Sequence, residues 1–449
     1  MDGTDEESGT DAEAYDVLSE VSVGGSPRRG LVGATFGFFI GFAGVVMYGP
    51  AAEQFEQALG LSGLLLGFLV AAPNLIGSLI RIPAGAWADK VGPRKPFLSL
   101  LGLSAVGMIG FSTMLVIVGI EGLTARHYPL IFVFGALSGC GIGTFSVGLT
   151  QTSYWYQTEK QGGALAIYAG VGNSSPGIFT ILLPILIGVL GLTTTYLVWI
   201  VFLIGGIIIY AAVAADPYYF QLRKQGLDRE KAEAASRELG EEIFPNGDAW
   251  GSIRQAASMP RTWMLVALYF TSLGGFLALT VWFPSYWVSF HGVESRTAGI
   301  VTALGFALLA TFIRIPGGFL SDRVGGERVS TVSFAIVGGA GLVLMTADAF
   351  ATAIGGMLLL AVGIGIANAA VTQLLPLYVP EAVGGASGIV GGVGAFGGFV
   401  IPPLLGLFVD YHGISGYATG FVVISSLGVF GSVLSGILYN RYGYQESWI

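Results

Sequence analysis

Two arginines stand alone in long apolar runs: Arg81 within IRIPAGAWADKVGPRK (80–95) and Arg314 within IRIPGGFLSDRVGGER (313–328). A guanidinium is planar, stays protonated in proteins and offers five N–H donors in a fixed fork. That is chemistry for holding a small planar anion with several acceptor oxygens. A charge near mid-bilayer costs ~2.5–3.5 kcal/mol on insertion scales, so its presence there points to a working site. Half the chain separates the two arginines, and each is followed by a proline, Pro83 or Pro316, and then by Gly85 or Gly317. Proline lacks an N–H and bends a helix, and the glycines admit a close neighbour. Snorkelling to the interface is the alternative. It is disfavoured because each arginine precedes an aspartate, Asp89 or Asp322, by eight residues, roughly 12 Å of helix.

Elements able to position these residues must cross a membrane. Only 11% of residues are charged, 53% are hydrophobic, and mean hydropathy is +0.74, whereas a soluble domain carries ~25% charged residues. Glycine supplies 71 of 449 residues, as expected where helices in lipid approach through small side chains. A spanning helix needs ~20 mostly apolar residues, and the chain has twelve such runs, from 31–49 to 416–438. The expected fold is an all-α membrane protein of twelve transmembrane helices in two six-helix parallel repeats. Its parts are an acidic, disordered tail (1–29), a six-helix bundle (30–214), a polar linker loop (215–260), a second six-helix bundle (261–440) and a short tail (441–449). The acidic 2–20 stretch is the reverse of a basic signal-peptide start. Sixteen of the twenty basic residues fall on the side that carries the linker, two (Arg126 and Arg296) on the other, and Arg81 and Arg314 between. The positive-inside rule makes that side, and both termini, cytoplasmic.

Inside the twelve spans there is no Asp, Glu, Lys or His; Asp410 falls at the end of the eleventh. The arginine pair therefore has no evident counter-ion, and closing the empty site would bury two unpaired charges. Exchange of one anion for another follows, because a proton-coupled carrier usually relays through a carboxylate or histidine. The one cysteine, Cys140, and three scattered histidines, His127, His291 and His412, make no metal site. No paired carboxylates or nucleophile–base arrangement suggest an enzyme. The expected partners are a small inorganic anion and the lipid bilayer, with no nucleic acid, no cofactor and a monomeric chain.

A second repeat sets GGALAIYAGVGN (162–173) against GGASGIVGGVGA (384–395), again about half a chain on. Parallel six-span repeats describe the major facilitator fold, with substrate between the halves near mid-membrane. The loops DKVGPRK (89–95) and DRVGGER (322–328) place Asp89 with Arg94 and Asp322 with Arg328. Such pairs are expected to latch the halves in one conformation.

These motifs resemble the nitrate/nitrite porter family of the major facilitator superfamily. The match runs from about 30 to 440 and is carried by the arginine motifs, by QGGALAIYAGVGN (161–173), by the 365–406 stretch GIANAAVTQLLPLYVPEAVGGASGIVGGVGAFGGFVIPPLLG, and by WMLVALYFTSLGGFLALTVWFP (263–284). The resemblance implies import of nitrate and export of nitrite across the cytoplasmic membrane, by exchange in some members and with protons in others. It implies that Arg81 and Arg314 clamp the anion, and that Asn173 and Tyr269 hydrogen-bond to it. It also implies that Gly170, Gly172, Gly391, Gly392 and Gly394 let the helices slide. Thr144, Tyr168, Gln151 and Gln157 depart from the family pattern. These departures bear on the choice between nitrate and nitrite. A carrier of the same fold for oxalate, formate or another monocarboxylate is the main rival. It is disfavoured because no lysine follows Lys231, where such carriers commonly keep one in the eleventh span. A non-transporting anion sensor is the remote one, since the linker shows no signalling domain.

Overall fold

The computed structural model describes residues 21–245 and 248–442; residues 1–20 of the expected tail and 443–449 lie outside them. Twelve helices are long and apolar enough to cross a membrane: Pro27–Leu59, Gly63–Val91, Arg94–Val118, Ala125–Trp155, Thr158–Leu190, Leu192–Val213, Pro260–Phe290, Ser295–Val324, Gly326–Met345, Phe350–Tyr378, Pro380–Thr419 and Val422–Arg441. They are numbered here as spans one to twelve. The first continues beyond its apolar stretch as an amphipathic segment, Ala52–Leu59, so the apolar run alone ended it too early. An even number of crossings puts both ends of the described chain and the linker on one face, the linker face; the opposite one is the far face.

Two pairs of helix breaks fall at equivalent places in the two halves; the first and fourth spans are also interrupted, by 3-10 turns at Ala43–Val46 and Gly139–Gly143. The second span is interrupted at Ile80, between Gly63–Leu79 and Arg81–Val91, and the eighth at Ile313, between Leu309–Phe312 and Arg314–Val324. Pro83 and Pro316 cannot donate to the carbonyls four residues earlier, which is why the helix slackens there. The fifth breaks at Ser174 and the eleventh at Phe396, at the same offset as the glycine repeat they interrupt. That offset is shorter than the one between the arginines because the third span and the turn after it are longer than the ninth and its turn.

Glycines set how closely the halves approach. At the far face, a Cβ on Gly63 would overlap the carbonyl of Gly406, and one on Gly406 the carbonyl of Gly63. Backbone therefore touches backbone between spans two and eleven. Spans five and eight close in the same way, since a Cβ on Gly299 would lie 2.5 Å from the Thr180 carbonyl oxygen. Asp410 adds a charged clasp. Its carboxylate accepts from the backbone N–H of Gly63 (2.5 Å) and Leu64 (2.9 Å). It thereby caps the start of the second span from the other half of the molecule, where the helix leaves its first donors unsatisfied. Toward the linker face of the fifth span, Gly162, Gly163 and Gly170 meet nothing within 4 Å.

The linker is folded where it is described. Short helices Tyr218–Lys224, Arg229–Glu238 and Ala249–Ala257 occupy it. Tyr219, Phe220, Leu222, Ala232 and Ala235 form a separate small core with Tyr154 of the fourth span. Val21 and Val23 pack on that core, and Gly24 exchanges two hydrogen bonds with the Gln221 side chain. Residues 21–29, expected in the disordered tail, are therefore held. Three acids fix the linker to helix ends: Asp216 accepts from Arg94 N (2.8 Å), Glu242 from Thr158 N (2.9 Å), and Glu241 from Tyr218 N (2.5 Å) and Tyr219 N (3.0 Å).

Hydrogen exchange tests two of these acidic contacts. Asp410→Ala should speed amide exchange at Gly63 and Leu64 at least about tenfold, since hydrogen bonds to a charged group contribute about 1.5–3 kcal/mol; unchanged exchange would rule out the clasp. Burial pushes the Glu241 carboxyl up to about 7, against its two N–H donors, which favour the charged form. Its stabilising contribution is full below about 4.5, the ordinary value, and is lost as pH rises through about 7. Exchange at 218–224, corrected for its intrinsic pH dependence, should therefore be faster at pH 8 than at pH 6, and Glu241→Gln should remove the difference.

Candidate anion site

The second span presents a polar stripe to the eleventh. Asn74, Ser78 and Arg81 recur at helical spacing, and all three are buried, Arg81 at 2% exposure. Asn74 Nδ2 donates to the Gly398 carbonyl (3.4 Å) and Arg81 Nη1 to that of Gly391 (3.4 Å). The spacing between the two donors equals that between the two acceptors, so the helices run past each other in register. Asn74 Oδ1, Ser78 Oγ and Arg81 Nε are left without partners. Buried donors and acceptors of this kind are uncommon and cost ~1–3 kcal/mol each. Their gathering beside one cation marks a place built to receive something polar.

Arg81 lies over the Phe145 ring, 5.1 Å from its centroid, a cation–π contact. Phe145 is held from below: Tyr168 donates its hydroxyl to the carbonyls of Phe145 (2.8 Å) and Thr144 (3.1 Å). Tyr168 and Tyr269 both lie within electrostatic reach of the guanidinium. Tyr269 is 7% exposed, and among the described residues its hydroxyl has no hydrogen-bond partner. Its ring packs on Gly394, where a Cβ would meet it at 2.8 Å.

Arg314 sits in the other half, half-buried, on a small cavity that it shares with Phe276, Thr311, Ile364, Gly365 and Asn368. Arg81 is not on that wall. Thr311 Oγ1 donates to Ala307 O (2.8 Å) in its own helix and reaches Asn173 O (3.5 Å) in the fifth span. Asn173 is thus brought to the Arg314 side, but its side-chain amide turns back to Ala169 O (2.7 Å). Among the described residues neither arginine pairs with a carboxylate; the ion pairs are Lys224–Asp216, Arg229–Glu233 and Arg261–Glu381, all away from the site.

The five glycines divide. Gly172 admits Phe38 of its own half, Gly392 admits Ile82 of the opposite half (2.6 Å), and Gly394 admits Tyr269. Gly170 and Gly391 stand in open space. The expected latch is not made between halves here. Asp89 accepts from Tyr154 (2.7 Å), Asp322 from Gln373 (2.6 Å), Arg94 donates to Ala211 O (2.6 Å), and Arg328 lies over Tyr439. All four are engaged within their own six-span half.

Sequence reasoning missed Phe145, Phe276, Thr311 and Asn368. For Phe145 and Asn368 a third repeat held the signal: GIGTFSVGLTQ (141–151) and GIGIANAAVTQ (363–373) stand at the same offset as the glycine repeat. The structure repeats with it. Thr150 Oγ1 donates to Ser146 O (3.1 Å), and Thr372 Oγ1 to Asn368 O (2.7 Å). The bond thus recurs at equivalent positions, although the fourth span passes through a 3-10 turn at Gly139–Gly143 and the tenth is one continuous helix.

Residues 34–402 match the family profile of the Major Facilitator Superfamily. A probable nitrate/nitrite antiporter NarK1 of Thermus thermophilus is 29% identical over 408 residues, covering 85% of each chain. The nitrite extrusion protein of Bacillus subtilis is 28% identical over 394 residues, 88% of this chain and 90% of its own. A probable nitrate/nitrite transporter NarK2 of Mycobacterium tuberculosis is 28% identical over 391 residues, 85% of this chain and 89% of its own. Among solved structures, the inward open xylose transporter XylE of E. coli superimposes with a TM-score of 0.69 at 13% identity, over 90% of this chain and 95% of that one, a likeness of fold. Paired helix breaks, parallel halves and these relatives agree: the chain is a transporter of the major facilitator superfamily and belongs to its nitrate/nitrite porter family.

Proposed function

We propose that this protein carries nitrate and nitrite across the cytoplasmic membrane by alternating access, exchanging one anion for another, with the anion held between Arg81 and Arg314. The observation that carries this reading is the pair of guanidinium groups at equivalent helix breaks, neither with a carboxylate partner among the described residues. Each arginine also begins a half-helix, whose N-terminal end favours negative charge. Tyr269, with its free hydroxyl, supplies a neutral donor near Arg81. Asn173 becomes a donor when its amide leaves Ala169 O.

The excess of basic residues on the linker face supports a cytoplasmic linker, with both termini inside. The close glycine contacts of spans two with eleven and five with eight on the far face, and the free space beside Gly162, Gly163 and Gly170, support an inward-facing conformation. Turning outward requires the halves to close around the arginines. With the site empty, that step isolates two unpaired charges at a cost of several kcal/mol each. One bound monoanion lowers the cost by supplying acceptors to both forks. The loaded carrier therefore turns over faster than the empty one, which is the condition for exchange. Asp89, Arg94, Asp322 and Arg328 are then free to meet across the halves, as the latch of the outward-facing form.

Reconstituted protein should take up labelled nitrate into liposomes loaded with nitrite or nitrate, and hardly at all into empty ones, with no response to a pH gradient. Uptake into empty vesicles driven by inward protons would replace exchange with symport. Arg81→Lys or Arg314→Lys should lower exchange at least about 100-fold despite the retained charge, because an ammonium lacks the bidentate fork. Near-normal exchange by either variant would end the two-arginine model.

A further inference from the structure

We infer that Asn368 touches the carried anion and sets the preference between nitrate and nitrite, by donating to an oxygen that nitrate has and nitrite lacks; this rests on the carrier function proposed above. Asn368 lies in the tenth span and is 2% exposed. Its Oδ1 has no hydrogen-bond partner, and the side chain lines the same small cavity as Arg314 and Thr311. A buried amide with an unmet acceptor needs a reason to persist. Arg314 supplies half of one: among the described residues its guanidinium has no hydrogen-bond partner either, so a free acceptor and a free donor fork stand on one cavity wall.

The internal repeat shows that this amide is not part of the common scaffold. Asn368 corresponds to Ser146, and the residue before it, Ala367, to Phe145. Arg81 thus has an aromatic ring beneath it, whereas the counterpart of that ring beside Arg314 is a methyl group, followed by an amide. The two arginines occupy equivalent places and are dressed differently. One half offers a π face, and the other offers a neutral group with two donors and one acceptor.

Nitrate is planar, with three equivalent oxygens; nitrite is bent, with two oxygens and a lone pair on nitrogen. A guanidinium fork takes two oxygens side by side. The third oxygen of nitrate needs a further donor, and a neutral one adds no charge to a site that already holds two. Asn368 Nδ2 provides it, while Oδ1 accepts from Arg314 and holds the fork in line. Nitrite presents no third oxygen, so the amide contributes less to its binding.

The test compares KM for labelled nitrate and labelled nitrite in counter-loaded liposomes, for the full-length wild type, Asn368→Ala and Asn368→Ser. Both variants should raise the nitrate KM about tenfold more than the nitrite KM, the loss of one hydrogen bond to a charged acceptor. A KM ratio within about twofold of wild type in both would overturn the inference. Purified Asn368→Asp, which keeps the shape and gives Arg314 a resident counter-charge, should lose the rise in Tm that nitrate produces in the wild type. A rise equal to that of the wild type would equally overturn it. A wild type that carries neither anion would sink the carrier reading and this assignment with it. A wild type that carries both, with variants whose KM ratio is unmoved, would sink only the role of Asn368.

Discussion

Burying a guanidinium in a low-dielectric interior costs several kcal/mol unless opposite charge or several acceptors surround it, and this chain does so at Arg81 with one backbone carbonyl and one aromatic face. Much of the architecture can be traced to that constraint. The helix breaks before each arginine start a new half-helix at the charged residue itself. Asn74 Oδ1, Ser78 Oγ and Asn368 Oδ1 are likewise buried without partners. The halves pack closely through glycine at the far face.

Duplication supplied a symmetric frame that later substitution made unequal. The breaks at Ile80 and Ile313, and at Ser174 and Phe396, are matched in the two halves, as are the Thr150 and Thr372 bonds. The side chains around the two charges are not. Arg81 is enclosed by Phe145 and neighboured by Tyr168 and Tyr269, whereas Arg314 borders a cavity with Thr311 and Asn368. A site of two equal arms would bind a symmetric ion well and tell similar ions apart poorly. Unequal arms give discrimination without adding charge.

Span number, span order and the arginine pair were legible because each rests on a strong, local signal: a long apolar run, or a charge inside one. The parallel repeat was legible through Ile80–Lys95 and Ile313–Arg328, which are nearly the same sentence. What stayed hidden depends on which conformation the halves adopt. Asn173 reaches the Arg314 side through its backbone carbonyl, yet its side-chain amide bonds to Ala169 O of its own helix. Asp89 and Asp322 meet Tyr154 and Gln373, one residue of each pair coming from a span with no charged signature. The GIG…TQ repeat that points to Asn368 was readable in principle, but it lies in glycine-rich helices where similarity is easily put down to composition. The linker was underestimated because its small core draws Tyr154 from a membrane span and Val21 from the tail, partners far apart in sequence.

Asp410 bears on how the molecule is assembled. A helix start normally finds its cap a residue or two upstream in the same chain. The second span has a local cap in Ser62, which accepts from Leu65 N, but the N–H groups of Gly63 and Leu64 are met only by a carboxylate from the eleventh span. The first six-span half, made earlier during synthesis, therefore emerges with two backbone donors waiting at its outer rim. They are satisfied only when the second half docks in register, so the same carboxylate that closes the far face also reports that the two halves have found each other correctly.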